Sequence, residues 1–390
     1  MNATPAAPVQ DFRDGVPRVL RIDPLLLLAT LGLVGASLYA VRVGTTGDVP
    51  GQPNYYLYRQ LAYAGVGLVL MLLLTRFDYS RLRDWKFGVY GFMILSILLV
   101  YALGFSARGS KRAIEFGFFN FQASELGKLL LVLALSAFTV DRIRRLGDRE
   151  TTSRIVLLAL VPAMLVIAQP DLGSGLVYLA IVLAILFVAG TPWPHFAALA
   201  GLGAAAIAVV LLAAPAVGVE VLKPYQMDRL TAFLNPSDDP ADAEGYQVRQ
   251  SLTAIGAGGK TGREEATQTE LDFLPEHHTD FIFSVVGEEF GFVGAALVLS
   301  LFALLIWRAL RILTMSKNFY GALVAGGITA MLMFQVFVNV GMTMGIMPIT
   351  GIPLPLMSYG GSSVLTTLMA MGLLQSIHAQ ARETAAAKGL

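Results

Sequence analysis

The chain has 390 residues, 55% of them hydrophobic and only 14% charged, with a formal net charge of +1. A soluble domain carries about 25% charged residues, so a water-soluble globule is excluded, and a charge this close to neutral leaves no basic footprint for nucleic acid. Cysteine is absent, which removes disulfides, thiolate ligands and a cysteine nucleophile.

Apolar runs of about 18 residues recur along the whole length and read as membrane spans. Ten are predicted, centred on residues 24–41, 58–75, 87–105, 125–140, 155–169, 173–190, 195–218, 283–307, 319–345 and 354–377. The first is long for a signal-peptide core and lacks a small-residue cleavage site, so it reads as a retained span. Lys and Arg orient the bundle. With the N-terminal segment 1–21 inside, the inner connections hold seventeen basic residues and the outer ones ten, half of the latter in one long loop. The fold class expected is therefore an all-α polytopic membrane protein of one domain, both termini cytoplasmic. A large extracytoplasmic loop, residues 219–280, separates helices 7 and 8. The tail 378–390 is Ala-rich, and it is expected to be cytoplasmic and mobile.

Polar islands interrupt the apolar pattern on the outer side. The first is "GSKRAIEFGFFNFQASELGK" (109–128). Lys111 and Arg112 precede the fourth span, and Glu125 and Lys128 stand at i, i+3 inside it. A pair of opposite sign at that spacing neutralises itself, and within a membrane it faces an interior rather than lipid. The second island, "QPDLGSG" (169–175), joins two spans as a tight hairpin and carries Gln169, Asp171 and Ser174. The long loop holds twelve acidic against five basic residues. Within it, "NPSDDPADAEG" (235–245) reads as an acidic turn. "YQVRQSLTAIGAGG" (246–259) reads as a short helix with Val248, Leu252 and Ile255 on one side, and it contains Arg249. "GAGGKTG" fails the phosphate-loop spacing because Ala254 stands where the first glycine belongs; it reads as a flexible glycine turn. A third island, "PITGIPLPLMSYGGSSV" (348–364), includes Ser358 and Ser362. It places three prolines at membrane depth, where broken backbone is tolerated only if buried in protein or lining a cavity.

The segment "LPEHHTDFIFSVVGEEFG" (274–291) gathers Glu276, His277, His278, Asp280, Glu288 and Glu289 where the loop re-enters the membrane. The plainer reading of Asp280 is a helix N-cap; the functional one is a carboxylate facing a polar cavity, because charge at that depth is costly unless it is paired or wet. The adjacent imidazoles of His277 and His278 are expected to point in different directions, which argues against a metal site with Glu276. Each island has an ordinary reading as a satisfied turn or close helix packing. Four on one face favour a shared polar cavity opening outward.

Taken in order, "GSKR…FQ-SEL-K", "QPDLGSG", "YQ-R-S-AIGAGG--G", "LPE-HTDFIFSVVGEE-G" and "GI-LPL-SYGGSS" resemble the SEDS proteins (shape, elongation, division and sporulation) over nearly the whole chain. "RIDPLLLL" and "HHTDFIFSVVGEEFG" are more similar to the elongation member than to the division member. Ala113 and Ala123 stand where the family usually has Trp and Pro. The resemblance implies a peptidoglycan glycosyltransferase that polymerises lipid II into β-1,4 glycan strands and releases undecaprenyl pyrophosphate. Its partner would be a class B penicillin-binding protein, the transpeptidase. Asp280 matches the family's essential aspartate and would act as general base toward a sugar hydroxyl. Lys111, Arg112, Lys128 and Arg249, a divalent cation, or both would stabilise the leaving pyrophosphate. Two small-residue segments, 294–305 and 321–331, are expected to offer a docking surface for the transpeptidase helix. A lipid II flippase and a non-catalytic scaffold are the rival readings. A flippase needs polar sites reachable from both faces, whereas the inner halves of most spans here are apolar.

Overall fold

The computed structural model describes residues 22–107, 110–213, 215, 227, 229, 233, 243–263 and 277–387. The N-terminal segment 1–21, most of the acidic turn at 235–245, and Glu276 lie outside the described residues. The elements are α1 (Pro24–Gly44), α2 (Tyr55–Arg76), a 3₁₀ turn (Tyr79–Arg83), α3 (Lys86–Leu103), three short antiparallel strands β1 (Phe105–Ala107), β2 (Ser110–Phe116) and β3 (Phe119–Phe121), and α4 (Ala123–Asp141). Next come α5 (Arg149–Ala168), α6 (Leu172–Val188) and α7 (Trp193–Ala208), the last continued by a π-helical turn at Val209–Ala213. The short helix α8 (Ala243–Ala257) is followed by α9 (Ile282–Met315), α10 (Phe319–Thr343) and α11 (Gly361–Ala387).

Among the described residues, eight helices are long and apolar enough to cross a membrane, and α6 is a shorter apolar helix. Burial orders them. The windows of α4 and α10 are 83% and 72% buried, against 22% for α3 and 0% for α7. Leu28, Phe92, Leu95, Phe187, Trp193 and Phe337 all point outward. Apolar exposure on this scale is intolerable in water and is what a lipid-facing bundle requires.

Local chemistry sets the ends. Pro24 is pre-organised for the first turn of α1, and the Asp23 carboxylate caps it by accepting from the N–H groups of Leu25 and Leu26. That carboxylate also receives the Arg308 guanidinium of α9, and Gln375 of α11 pairs with the Asp23 backbone. Three helices are thereby pinned at one end of the bundle. At α9, Gly291 leaves helical geometry with φ 60°. The broken ladder is completed by the glycine-rich turn after α8: Phe292 N–H donates to the Gly259 carbonyl at 2.9 Å and Val293 N–H to that of Lys260 at 3.1 Å. A Cβ at Gly258 would lie 1.9 Å from the Gly287 carbonyl oxygen. The "GAGGKTG" segment is therefore a docked backbone brace, which corrects its reading as a flexible turn.

Four further expectations change. The tenth helix starts at Gly361 rather than near 354, because the Pro-rich segment 348–360 runs as irregular backbone. It continues to Ala387 with Gln380 and Ala381 buried, so the region after His378 is helix rather than a mobile tail. On α8, Val248, Ser251 and Ala254 are buried while Leu252 is 43% exposed, which rotates the buried face by about one residue from that expected. Finally, the 321–331 segment packs internally. A Cβ at Gly321 would meet the Ser316 and Tyr79 hydroxyls, and one at Gly327 would meet Val132 of α4. It offers no docking surface, whereas the 294–305 segment keeps Leu297 and Leu299 exposed.

Candidate functional site

Residues 277–280 form a turn immediately before α9. The α9 N-cap is Phe281, whose own side chain makes no capping hydrogen bond. Asp280 thus stands one residue before the N-cap rather than at it. Its main chain is held firmly. Asn339, fully buried on α10, donates to the carbonyls of both Asp280 and Ile352 at 2.8 Å. The two preceding carbonyls are also held, His278 by the Tyr359 N–H at 2.9 Å and Thr279 by the Ser358 hydroxyl at 2.6 Å. The carboxylate itself faces the irregular segment. A Cβ at Gly351, where φ is +68°, would lie 3.5 Å from Asp280 Oδ2 and 3.8 Å from Arg229 Nη1. Glycine serves there twice, since the left-handed backbone is costly for other residues and the missing side chain leaves space against the carboxylate.

A second cluster walls the site. Ser358 Oγ accepts from Leu354 N–H at 2.8 Å, and Gln60 of α2 donates to the Ser358 carbonyl at 3.2 Å. Arg59, one residue earlier on α2, lies 4.5 Å from the Tyr55 ring centroid. Tyr56, Tyr359 and His278 pack with centroids 4.7 to 5.6 Å apart. The result is an aromatic wall carrying a half-buried guanidinium.

The "QPDLGSG" and "FQAS" islands interlock. Asp171 Oδ1 accepts from Ser174 N–H at 3.0 Å, capping α6, while its Oδ2 accepts from Ser124 at 2.8 Å and Gln122 at 3.2 Å. Ser362 at the start of α11 accepts from Gln122 N–H and donates to the Asn120 carbonyl. Gln169 donates to the Ile97 carbonyl of α3 at 2.7 Å. Gln169, Asp171, Ser174, Ser358 and Ser362 are all buried, and each has partners within the protein. Ala123 opens α4 at a position where proline is favoured, so the departure from the family pattern leaves the helix start intact. One turn in, Lys128 Nζ and Glu125 Oε1 are 2.6 Å apart with side chains 1% and 4% exposed: the i, i+3 pair forms, sealed from lipid. Arg249 is exposed on α8. Lys111 and Arg112 fall on β2, and their side chains lie outside the described residues.

The sequence reading passed over Arg229, Arg59, Asn339, Gln60 and Gly351. Asn339 and Gln60 had a usable signal, because an amide within an apolar run is a functional candidate. Arg229 had none, since its position within a long loop fixes no neighbour. The reading of His277 and His278 also changes: the turn brings both rings toward Asp48 of the α1–α2 connection, 3.4 and 3.6 Å from its Oδ2.

A largely helical chain with eight membrane-length apolar helices, and with a carboxylate, guanidinium groups and a Pro/Gly-broken segment gathered at one end of them, defines a polytopic membrane protein built around a polar site. Residues 19–383 match the family described as cell cycle protein, FtsW/RodA/SpoVE, and the chain belongs to that family. It is 35% identical to stage V sporulation protein E of Bacillus subtilis over 94% of this chain and 98% of that protein. It is 35% identical to peptidoglycan glycosyltransferase MrdB of Escherichia coli (92% and 94%) and 36% identical to peptidoglycan glycosyltransferase RodA of Treponema pallidum (92% and 98%). Among solved structures, a chain from work described as the structural coordination of polymerization and crosslinking by a peptidoglycan synthase complex matches with TM-score 0.76 at 36% identity, covering 92% of this chain and 97% of that one. The rod shape determining protein RodA of Thermus thermophilus matches with TM-score 0.65 at 31% identity, over 93% and 98%.

Proposed function

We propose that the chain is a peptidoglycan glycosyltransferase that polymerises lipid II at the outer face of the bacterial cytoplasmic membrane during cell elongation, with Asp280 as general base. The observation that carries this reading is the placement of the Asp280 carboxylate. Its main chain is held by Asn339, and it lies beside Gly351 and Arg229. The names of the relatives in E. coli and T. pallidum support the chemistry. The elongation role rests on the sequence motifs, since sporulation and elongation relatives are matched at nearly equal identity.

A glycan 4-hydroxyl is a poor nucleophile, and a positioned carboxylate takes its proton as the new glycosidic bond forms. The departing pyrophosphate gathers negative charge, which preorganised cations stabilise. Arg229 and Arg59 join Lys111, Arg112 and Arg249 as the groups proposed for that task, with a divalent cation as a further contributor. Glu125, Lys128, Gln169, Asp171, Ser174, Ser358 and Ser362 act in this reading by holding the walls of the lipid II site. The eight long helices together with α6 and α11 make ten spans with both termini cytoplasmic, and the apolar flanks accommodate the polyprenyl chain. The partner proposed is a class B penicillin-binding protein; the neighbour described as part of a peptidoglycan synthase complex supports that assembly. Purified protein given lipid II in detergent should yield glycan polymer on a gel, and Asp280→Ala should not. A well-folded wild-type protein that moves lipid II across vesicles without making polymer would instead establish the transporter reading.

A further inference from the structure

We propose that Asp48, His277 and His278 form a binding site for a borderline divalent transition-metal ion, of the Zn²⁺ or Co²⁺ type, that ties the α1–α2 connection to the turn carrying Asp280. The three donor atoms come from two segments far apart in sequence. His277 Nε2 lies 3.4 Å and His278 Nδ1 3.6 Å from the same oxygen, Asp48 Oδ2, and all three atoms fall within 4.8 Å of one another. A hydrogen bond to a carboxylate would be nearer 2.8 Å. Zinc-type ions bind imidazole nitrogen and carboxylate oxygen at about 2.0–2.2 Å, which sets neighbouring donors roughly 3.3 Å apart in a tetrahedron. Both nitrogen–oxygen separations fall close to that edge length.

The donor chemistry selects the ion. Two imidazoles and one carboxylate suit borderline ions such as Zn²⁺, Co²⁺, Ni²⁺ and Fe²⁺, whereas Mg²⁺ and Ca²⁺ prefer oxygen throughout. The His277 side chain is 3% exposed, with those of His278 and Asp48 at 17% and 13%. Three protein ligands enclosed on one side and open on the other leave a fourth position for water or an oxyanion.

The ion's structural effect follows from what already holds the turn. Main-chain carbonyls of His278, Thr279 and Asp280 accept from Tyr359, Ser358 and Asn339 in succession. Those bonds fix the turn to the 348–360 segment and α10 but not to α1. A bound ion adds a side-chain anchor on that remaining flank. Asp48, His277 and His278 are positioning residues in this account.

The test uses full-length protein in detergent, with any affinity tag cleaved off, stripped with EDTA and titrated with Co²⁺ and Zn²⁺. Wild type should bind one equivalent, show visible Co²⁺ d–d absorption, and rise in Tm with metal concentration. X-ray absorption on the Zn²⁺ form should show two imidazole ligands. His277→Gln and Asp48→Asn should each weaken binding by about tenfold or more, as expected when one of three ligands is lost, and should abolish the metal-dependent Tm rise. Absence of Co²⁺ absorption in wild type, or equal uptake by wild type and the Asp48→Asn/His277→Gln double variant, overturns the site. The wild-type spectra decide the matter even if a variant fails to fold, and they do so independently of whether the protein polymerises lipid II.

Discussion

Asp23 and Asp280 each stand at the entry to a long helix, and they are used in opposite ways. Asp23 caps α1 through Oδ1 and holds Arg308 through both oxygens, more closely through Oδ2; its carboxylate is fully buried and committed to structure. Asp280 stands just before the N-cap of α9 and presents its carboxylate toward Gly351 and Arg229. Asp280 precedes the first residue of α9, whereas Arg308 lies 17 residues (308 − 291) beyond its break at Gly291, roughly 25 Å along a helix rising 1.5 Å per residue, so the two aspartates stand at different ends of α9. In the proposed reading the same side chain is structural at one end of the bundle and chemical at the other. What differs is what each carboxylate faces, Arg308 for Asp23 and the Gly351 and Arg229 flank for Asp280, and sequence position alone gives no sign of that.

The comparison predicts the sharpest split in mutants. Asp280→Asn should lower polymerisation by about 10²-fold or more, the range expected for a lost general base, while Tm stays near wild type; a glycan gel and a thermal melt on the same sample check both. Asp23→Ala should do the reverse. It strands the Arg308 guanidinium in a buried place and should cost about 3–5 kcal/mol of stability, read by unfolding in detergent. The Asp23 ion pair also carries a pH signature. Burial raises its carboxyl pKa, but hydrogen bonds from Arg308 and the Leu26 N–H outweigh this and hold it below the ordinary 3.8. Its stabilisation is therefore complete above the unfolded value and is lost as pH falls through the lower folded value. Loss of stability between pH 5 and 8 that Asp23→Ala removes would contradict this assignment.

Much of this architecture is legible in the sequence because apolar length and charge asymmetry report helices directly. The Glu125–Lys128 pair was legible too, since i, i+3 spacing fixes proximity without knowledge of the fold. Long-range neighbours were not. Arg229 sits in a loop whose sequence sets no register against Gly351. His277 and His278 looked divergent as adjacent residues until a turn aimed both at Asp48. The glycine turn read as flexible because glycine favours two opposite things, loose chain and close backbone approach, and only the break at Gly291 shows which applies. The small-residue run at 321–331 misled for the same reason: small residues serve partner docking and internal packing alike.

Smaller effects sharpen the contrast further. Gly351→Val should depress polymerisation more than it depresses Tm, because the added atoms press on Asp280 Oδ2, while the left-handed backbone itself costs only about 1–2 kcal/mol. Equal activity in this variant would show that the space beside Gly351 is not used. Gly321→Leu should destabilise the protein whether or not a transpeptidase is present, since its Cβ meets Tyr79 and Ser316; a defect confined to the complex would restore that segment as a docking surface. A double-mutant cycle on Glu125 and Lys128 should show coupling of about 1 kcal/mol or more, and strictly additive melts would mean that the buried contact contributes nothing.

The most direct measurement is a side-by-side time course of purified wild type and Asp280→Asn with lipid II, glycan product on a gel, and Tm recorded on the same preparations. The account predicts polymer from wild type, none from the variant, and matched Tm values. Polymer from a well-folded Asp280→Asn protein at the wild-type rate would contradict it.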